Sequence, residues 1–212
     1  AYNINLRMFK TDHESISRSL NNLGVIYGKQ GDLENEFLHY YEAYLMNKRL
    51  FVGNHIHIAN SLYNLGLAYG NRNDSKNEFK YKLEAIEMYK ILCGANSLEF
   101  SKALNALGAA YGRVGYFEKE FRCYTKSLEI RENIYNKRDN LDVIISLNNL
   151  GLAYYKLGNL EYQIKYYMKA LDMCKRLFGE NDHLETAKSL SNVAFSFGLL
   201  GDFENEIKHY FE

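Results

Sequence analysis

The chain has 212 residues, 47% of them apolar, with 26 basic side chains balancing 26 acidic ones. That neutrality argues against bulk polyanion binding, which needs an electropositive field, and no apolar run approaches the roughly 20 residues of a membrane span. There is no proline, as suits a nearly all-helical chain, because proline breaks helix interiors.

The first predicted element is a helix opening on Thr11-Asp12-His13-Glu14, a capping-box pattern. Its apolar residues Ile16, Leu20, Leu23 and Tyr27 recur at three- and four-residue steps and form one stripe. Gly31 stops it and Asp32 caps a second helix, which carries Phe37, Tyr40, Ala43 and Tyr44 and ends near Gly53. Further along, Asn73-Asp74, Gly115-Tyr116, Gly158-Asn159 and Gly201-Asp202 mark equivalent inner turns. Gly94, Asn136 and Gly179 mark the outer turns, and Asn96-Ser97-Leu98-Glu99 and Asp182-His183-Leu184-Glu185 supply further helix starts.

This punctuation is periodic. Asn22-Leu23-Gly24-Val25-Ile26-Tyr27 returns as Asn64 to Tyr69, Ala106 to Tyr111, Asn149 to Tyr154 and, altered, Asn192 to Phe197, at steps of 42, 42, 43 and 43 residues. A fixed period of this size means stacked helical repeats without one central core. The expected fold is all-α: an α-solenoid, a right-handed superhelix of about five antiparallel helix pairs, forming a single array over residues 1–212. Ala1 falls at the register of Ala43 and Glu212 just before the next such alanine. The array therefore reads as a segment of a longer one, with apolar ends open to head-to-tail self-association.

With Gly24 taken as repeat position 8, Leu23, Leu65, Leu107 and Leu150 hold position 7, and Tyr27, Tyr69, Tyr111 and Tyr154 hold position 11. Tyr40, Tyr124, Tyr167 and Tyr210 hold position 24, and Ala43, Ala85, Ser127 and Ala170 hold position 27. In this pattern the chain resembles the tetratricopeptide repeat. Its 42-residue period, with linkers such as Arg49-Leu50-Phe51-Val52-Gly53-Asn54-His55, is similar to that of kinesin light chains. Position 20, alanine in the family, is instead Glu36, Glu78, Glu120, Gln163 and Glu206. Either these side chains cover the small residue at position 8 with heads bonded to a neighbouring repeat, or they reach water.

No catalytic, cofactor or metal site is expected. The six histidines are scattered, His55-Ile56-His57 is a poor metal clip, and no Ser, Cys or Lys sits beside an activating base. Cys93, Cys123 and Cys174 are odd in number and without ligand spacing, reading as reduced thiols in a cytoplasmic protein. The resemblance implies a protein-interaction scaffold whose first helices line a concave groove through positions 2, 5, 6, 9, 12 and 13. The groove residues carried over are Arg18, Asn22, Lys29, Tyr63, Asn64, Lys102, Asn105, Arg113, Asn149, Tyr155, Lys156, Lys188 and Asn192. Six are cationic and none anionic, so an acidic segment with an aromatic or leucine anchor is the expected ligand. Glycine at position 12 (Gly28, Gly70, Gly112, Gly198) is expected to leave room for a bulky anchor. Other readings are a structural or autoinhibitory segment of a multidomain protein and, more remotely, single-stranded RNA binding, for which the groove lacks a regular base-reading pair.

Overall fold

Apolar stripes of helical period, punctuated only by turn residues, run in the computed structural model as eleven α-helices among the described residues, 1–179, 181 and 183–211. Glu180 and Asp182 of the last linker, and the final Glu212, lie outside them. In order they are α1 (Tyr2–Met8), α2 (Glu14–Gln30), α3 (Leu33–Leu50), α4 (Ile56–Asn71), α5 (Ser75–Cys93) and α6 (Leu98–Arg113). They continue as α7 (Phe117–Ile134), α8 (Leu141–Lys156), α9 (Leu160–Phe178), α10 (Leu184–Leu199) and α11 (Phe203–Phe211), with no strand among the described residues. The sequence reading of about ten helices in five pairs set Ala1 inside a helix, at the register of Ala43, and α1 stands there, matching the C-terminal part of α3.

The inner turns fall where punctuation put them. Each needs one residue with left-handed backbone; Gly31 supplies it at φ 78° and Asn73, in the second repeat, at φ 59°. Asp32, Asp74 and Asp202 then accept the backbone N–H of Asn35, Asn77 and Asn205 and a second bond from each amide nitrogen at 2.7 Å. Those bonds hold the three carboxyls below the ordinary aspartate range.

The first helices start differently from the expected capping box. α2 is capped by His13, not Thr11: its Nδ1 accepts the N–H of Ser15 at 3.1 Å, while its ring lies flat on Phe9 with centroids 3.5 Å apart. His55 repeats this at α4 on Phe51, and His183 at α10 on Phe178. Asn140 caps α8 in their place. The recurrent linker histidine is thus a helix cap, fixed in tautomer by the N–H it accepts.

The chain divides into two compact halves, Ala1–Ala110 and Tyr111–Glu212. In the first, α2 packs on α3, α3 on α4 and α4 on α5. Tyr40, Leu65 and Ala68 form a buried layer flanked by Phe37, Tyr44, Tyr69 and Tyr81, and Ile16, Leu20 and Ala43 form another. In the second, α7 packs on α8, α8 on α9, α9 on α10 and α10 on α11. Val143, Ile144, Leu147 and Leu150 meet Tyr124, Ala170 and Cys174, and Tyr167 and Leu171 meet Val193. Ala43, Ala85, Ser127 and Ala170 are all fully buried, the close approach that position 27 requires.

Successive repeats are also keyed by polar pairs. Asn47 donates to the carbonyl of His57 at 3.2 Å and to Ser61 Oγ at 2.8 Å. Asn5 makes the same pair of bonds to Ser15 and Ser19, and Arg131 to Asp142 and Ser146. Cys174 faces Ser189 at 3.6 Å. Where the serine becomes Ala103, the keying residue becomes Tyr89, whose hydroxyl donates instead to Asn60 at 2.7 Å.

Candidate functional site

In the first half, α2, α4 and α6 with Tyr89 of α5 enclose a cleft of about 450 Å³. It is lined by Ser17, Arg18, Asn21, His57, Asn60, Tyr63, Asn64, Tyr89, Glu99 and Lys102. Arg18, Tyr63, Asn64 and Lys102 of the sequence-derived set therefore share one concavity, whereas Asn22, Lys29 and Asn105 are not among its lining residues. Periodicity places side chains on a face, but it does not say which neighbours the helix crossings bring alongside. His57 and Tyr89 were missed for that reason; Glu99, one helical turn before Lys102 on the same helix, was legible from spacing.

The electrostatics depart from an all-cationic groove. Arg18 is paired with Glu14, and the same Glu14 Oε1 lies 3.2 Å from His57 Nε2. Glu99 lines the cleft beside Lys102. Asn64 donates to Asn21 Oδ1 at 2.9 Å, so the asparagines bond across repeats and part of their capacity is already used. Burial pushes the Tyr89 hydroxyl, bonded to Asn60, above the ordinary tyrosine range.

In the second half Arg113 and Lys188 are exposed, and Lys188 bonds Glu185 at 2.7 Å. Lys156 reaches both oxygens of the buried Glu120 at 2.8 and 3.0 Å. Asn192 donates to Asn148 Oδ1 at 3.4 Å, repeating the asparagine contact of the first half, and Asn149 is half-buried. Tyr155 meets Phe195 edge-on with centroids 5.7 Å apart, both rings part-exposed.

The glutamate row resolves in favour of covered, partnered side chains. Glu36, Glu78, Glu120 and Gln163 are at most 4% exposed, and Glu206 is half-buried. Glu36 accepts from Asn71 of the next repeat at 3.1 and 3.0 Å, Glu120 from Lys156, and Glu78 from the buried Lys82, which also donates to the Ala106 carbonyl at 2.9 Å. What they cover is position 12, not position 8. A Cβ on Gly28 would sit 2.5 Å from Glu36 Oε1, on Gly112 2.2 Å from Glu120 Oε1, and on Gly198 2.6 Å from Glu206 Oε1. Position 8 lies instead under the residue at position 24: Tyr40 over Gly24, Tyr167 over Gly151 and Lys82 over Gly66. The open floor expected at Gly28, Gly112 and Gly198 is therefore filled by carboxylates. In the fourth repeat both partners change together, to Tyr155 and Gln163, and Gln163 donates to Ser196 Oγ at 3.0 Å.

Among the described residues no group of three or more His, Cys, Asp or Glu is placed to hold a metal ion. None of their helices is long and apolar enough to cross a membrane.

Sequence models of the tetratricopeptide repeat match residues 17–57, 101–134 and 142–210. No curated protein matches the chain in sequence. Among solved structures, BtubC (BKLC) from P. vanneervenii superposes with a TM-score of 0.80 at 18% identity, over 92% of this chain and 77% of that one. The kinesin-light-chain TPR-like repeats of Podosopora anserina superpose with a TM-score of 0.78 at 13% identity, over 94% and 93% of the two chains.

Proposed function

We propose that this chain, which belongs to the tetratricopeptide repeat family, is a protein-interaction scaffold. In this reading it takes an acidic or aromatic-anchored segment of a partner on the face formed by its first helices. The observation that carries it is the cleft between α2, α4 and α6. It combines two cations (Arg18 and Lys102), amides able to bond a peptide backbone (Asn21, Asn60 and Asn64) and aromatic surface from Tyr63 and Tyr89. In the second half Tyr155 and Phe195 offer an exposed aromatic pair of the kind on which an apolar anchor packs. The role is non-catalytic. Cys93, Cys123 and Cys174 are all free thiols, in keeping with a reducing compartment such as the cytoplasm.

Charge reversal at Arg18 and Lys102 together tests the groove. It weakens an acidic, leucine-anchored peptide at least tenfold while circular dichroism stays unchanged. Unchanged affinity, or a preference for basic peptides, refutes the assignment.

A further inference from the structure

The cleft between α2, α4 and α6 is charge-balanced at neutral pH. Arg18 and Lys102 bring two positive charges; Glu99 in the lining and Glu14 at its edge bring two negative ones. An incoming acidic segment therefore meets no net attraction unless one of those carboxylates gives way. Glu14 is the one placed to do so. It stands in the first turn of α2 with its side chain 41% exposed, and it holds Arg18, itself 66% exposed, in an ion pair. Exposed pairs of this kind hold weakly. Its Oε1 is also 3.2 Å from His57 Nε2, on the first turn of α4.

We propose that Glu14 is an internal competitor for the peptide site: its carboxylate occupies Arg18, where a ligand carboxylate would bind. This rests on the groove reading above and adds its regulation.

Glu14 is held loosely enough to be displaced. Its Oε1 is shared between Arg18 and His57 Nε2 across two helices, and Glu99 and Lys102 complete the charged groups of the cleft. With the Glu14 carboxylate off Arg18, the guanidinium is open to a ligand carboxylate in the same place.

The test titrates a fluorescein-labelled hexaglutamate peptide by anisotropy, at low ionic strength and pH 7.5, against wild type, Glu14→Gln and Lys102→Glu. Glu14→Gln is expected to bind at least threefold tighter than wild type, and Lys102→Glu to lose binding. If Lys102→Glu abolishes binding while Glu14→Gln equals wild type, the competitor is refuted and the groove stands. If hexaglutamate binds no form, even Glu14→Gln, both readings fail together.

Discussion

At the scale of single residues, the informative pairing is the glycine at repeat position 12 with the glutamate at position 20. Glycine is there because a carboxylate occupies the space a side chain would need. Gly112→Ala is therefore expected to destabilise by about 1–3 kcal/mol, since the methyl either displaces the buried Glu120 or strains the helix pair. Combined with Glu120→Ala, the cost of the same methyl falls, a coupling that urea titration of the four forms measures directly. A second residue-scale prediction concerns the key between Asn47 and Ser61. Ser61→Ala removes one partner of a buried amide whose Oδ1 already lacks a bond. It should cost about 1–3 kcal/mol in the same assay, whereas Ala103, opposite Tyr89, shows that alanine is tolerated where the opposing residue is matched to it.

At the scale of elements, helix starts carry the chemistry. His55→Ala should cost about 1 kcal/mol and fray α4, while His55→Asn, which retains an acceptor, stays near wild type; thermal melts distinguish the two. The aspartate caps give a pH dependence with a definite sign. Their carboxyls sit below the ordinary range in the folded chain, so each contributes stability that is full above the unfolded-state value, near 3.9. That contribution is lost as pH falls through the lower, folded value. Asp74→Asn should accordingly differ from wild type at pH 6 and converge on it as pH drops below 3, measured by denaturant midpoints. Asp12 and Asp139, bonded to Arg49 and Arg176, are lowered by those guanidinium bonds and follow the same direction.

At the scale of the whole molecule, stability accumulates from junctions between neighbouring repeats. Leu150→Ala, which empties a fully buried position against α9, should cost about 2–5 kcal/mol. Hydrogen exchange should show the loss of protection concentrated in α8 and α9. This level was the most legible in the sequence, because period and punctuation repeat five times and each copy corroborates the others. The site was less legible. Positions 8 and 12 are one helical turn apart on the same face, so spacing alone could not say which glycine the glutamate covers; only the crossing of the two helices decides it. The same limit hid His57, which only packing brings to Glu14 beside Arg18; Glu14 and Glu99, one helical turn from Arg18 and Lys102, were within reach of spacing. The coupled change to Tyr155 and Gln163 is a pair of departures in one repeat, a signal in the sequence that points to position 12 as the partner of position 20 and not to the position 8 expected.

The keyed junctions have a consequence for how such a gene can be edited by recombination. The backbone is periodic, so excising one repeat leaves the frame of helices unbroken, but the side-chain vocabulary is not interchangeable. Splicing out Lys48 to Tyr89, one whole period, would set an amide that needs a serine against the methyl of Ala103, with Tyr89 and its Asn60 partner both gone. Moving the fourth repeat elsewhere would bring Tyr155 and Gln163 without the Ser196 that Gln163 bonds. The order of the repeats is thus fixed by chemistry at the joins. Duplication products that preserve matched pairs across each join should fold, and shuffled ones of equal length and composition should not.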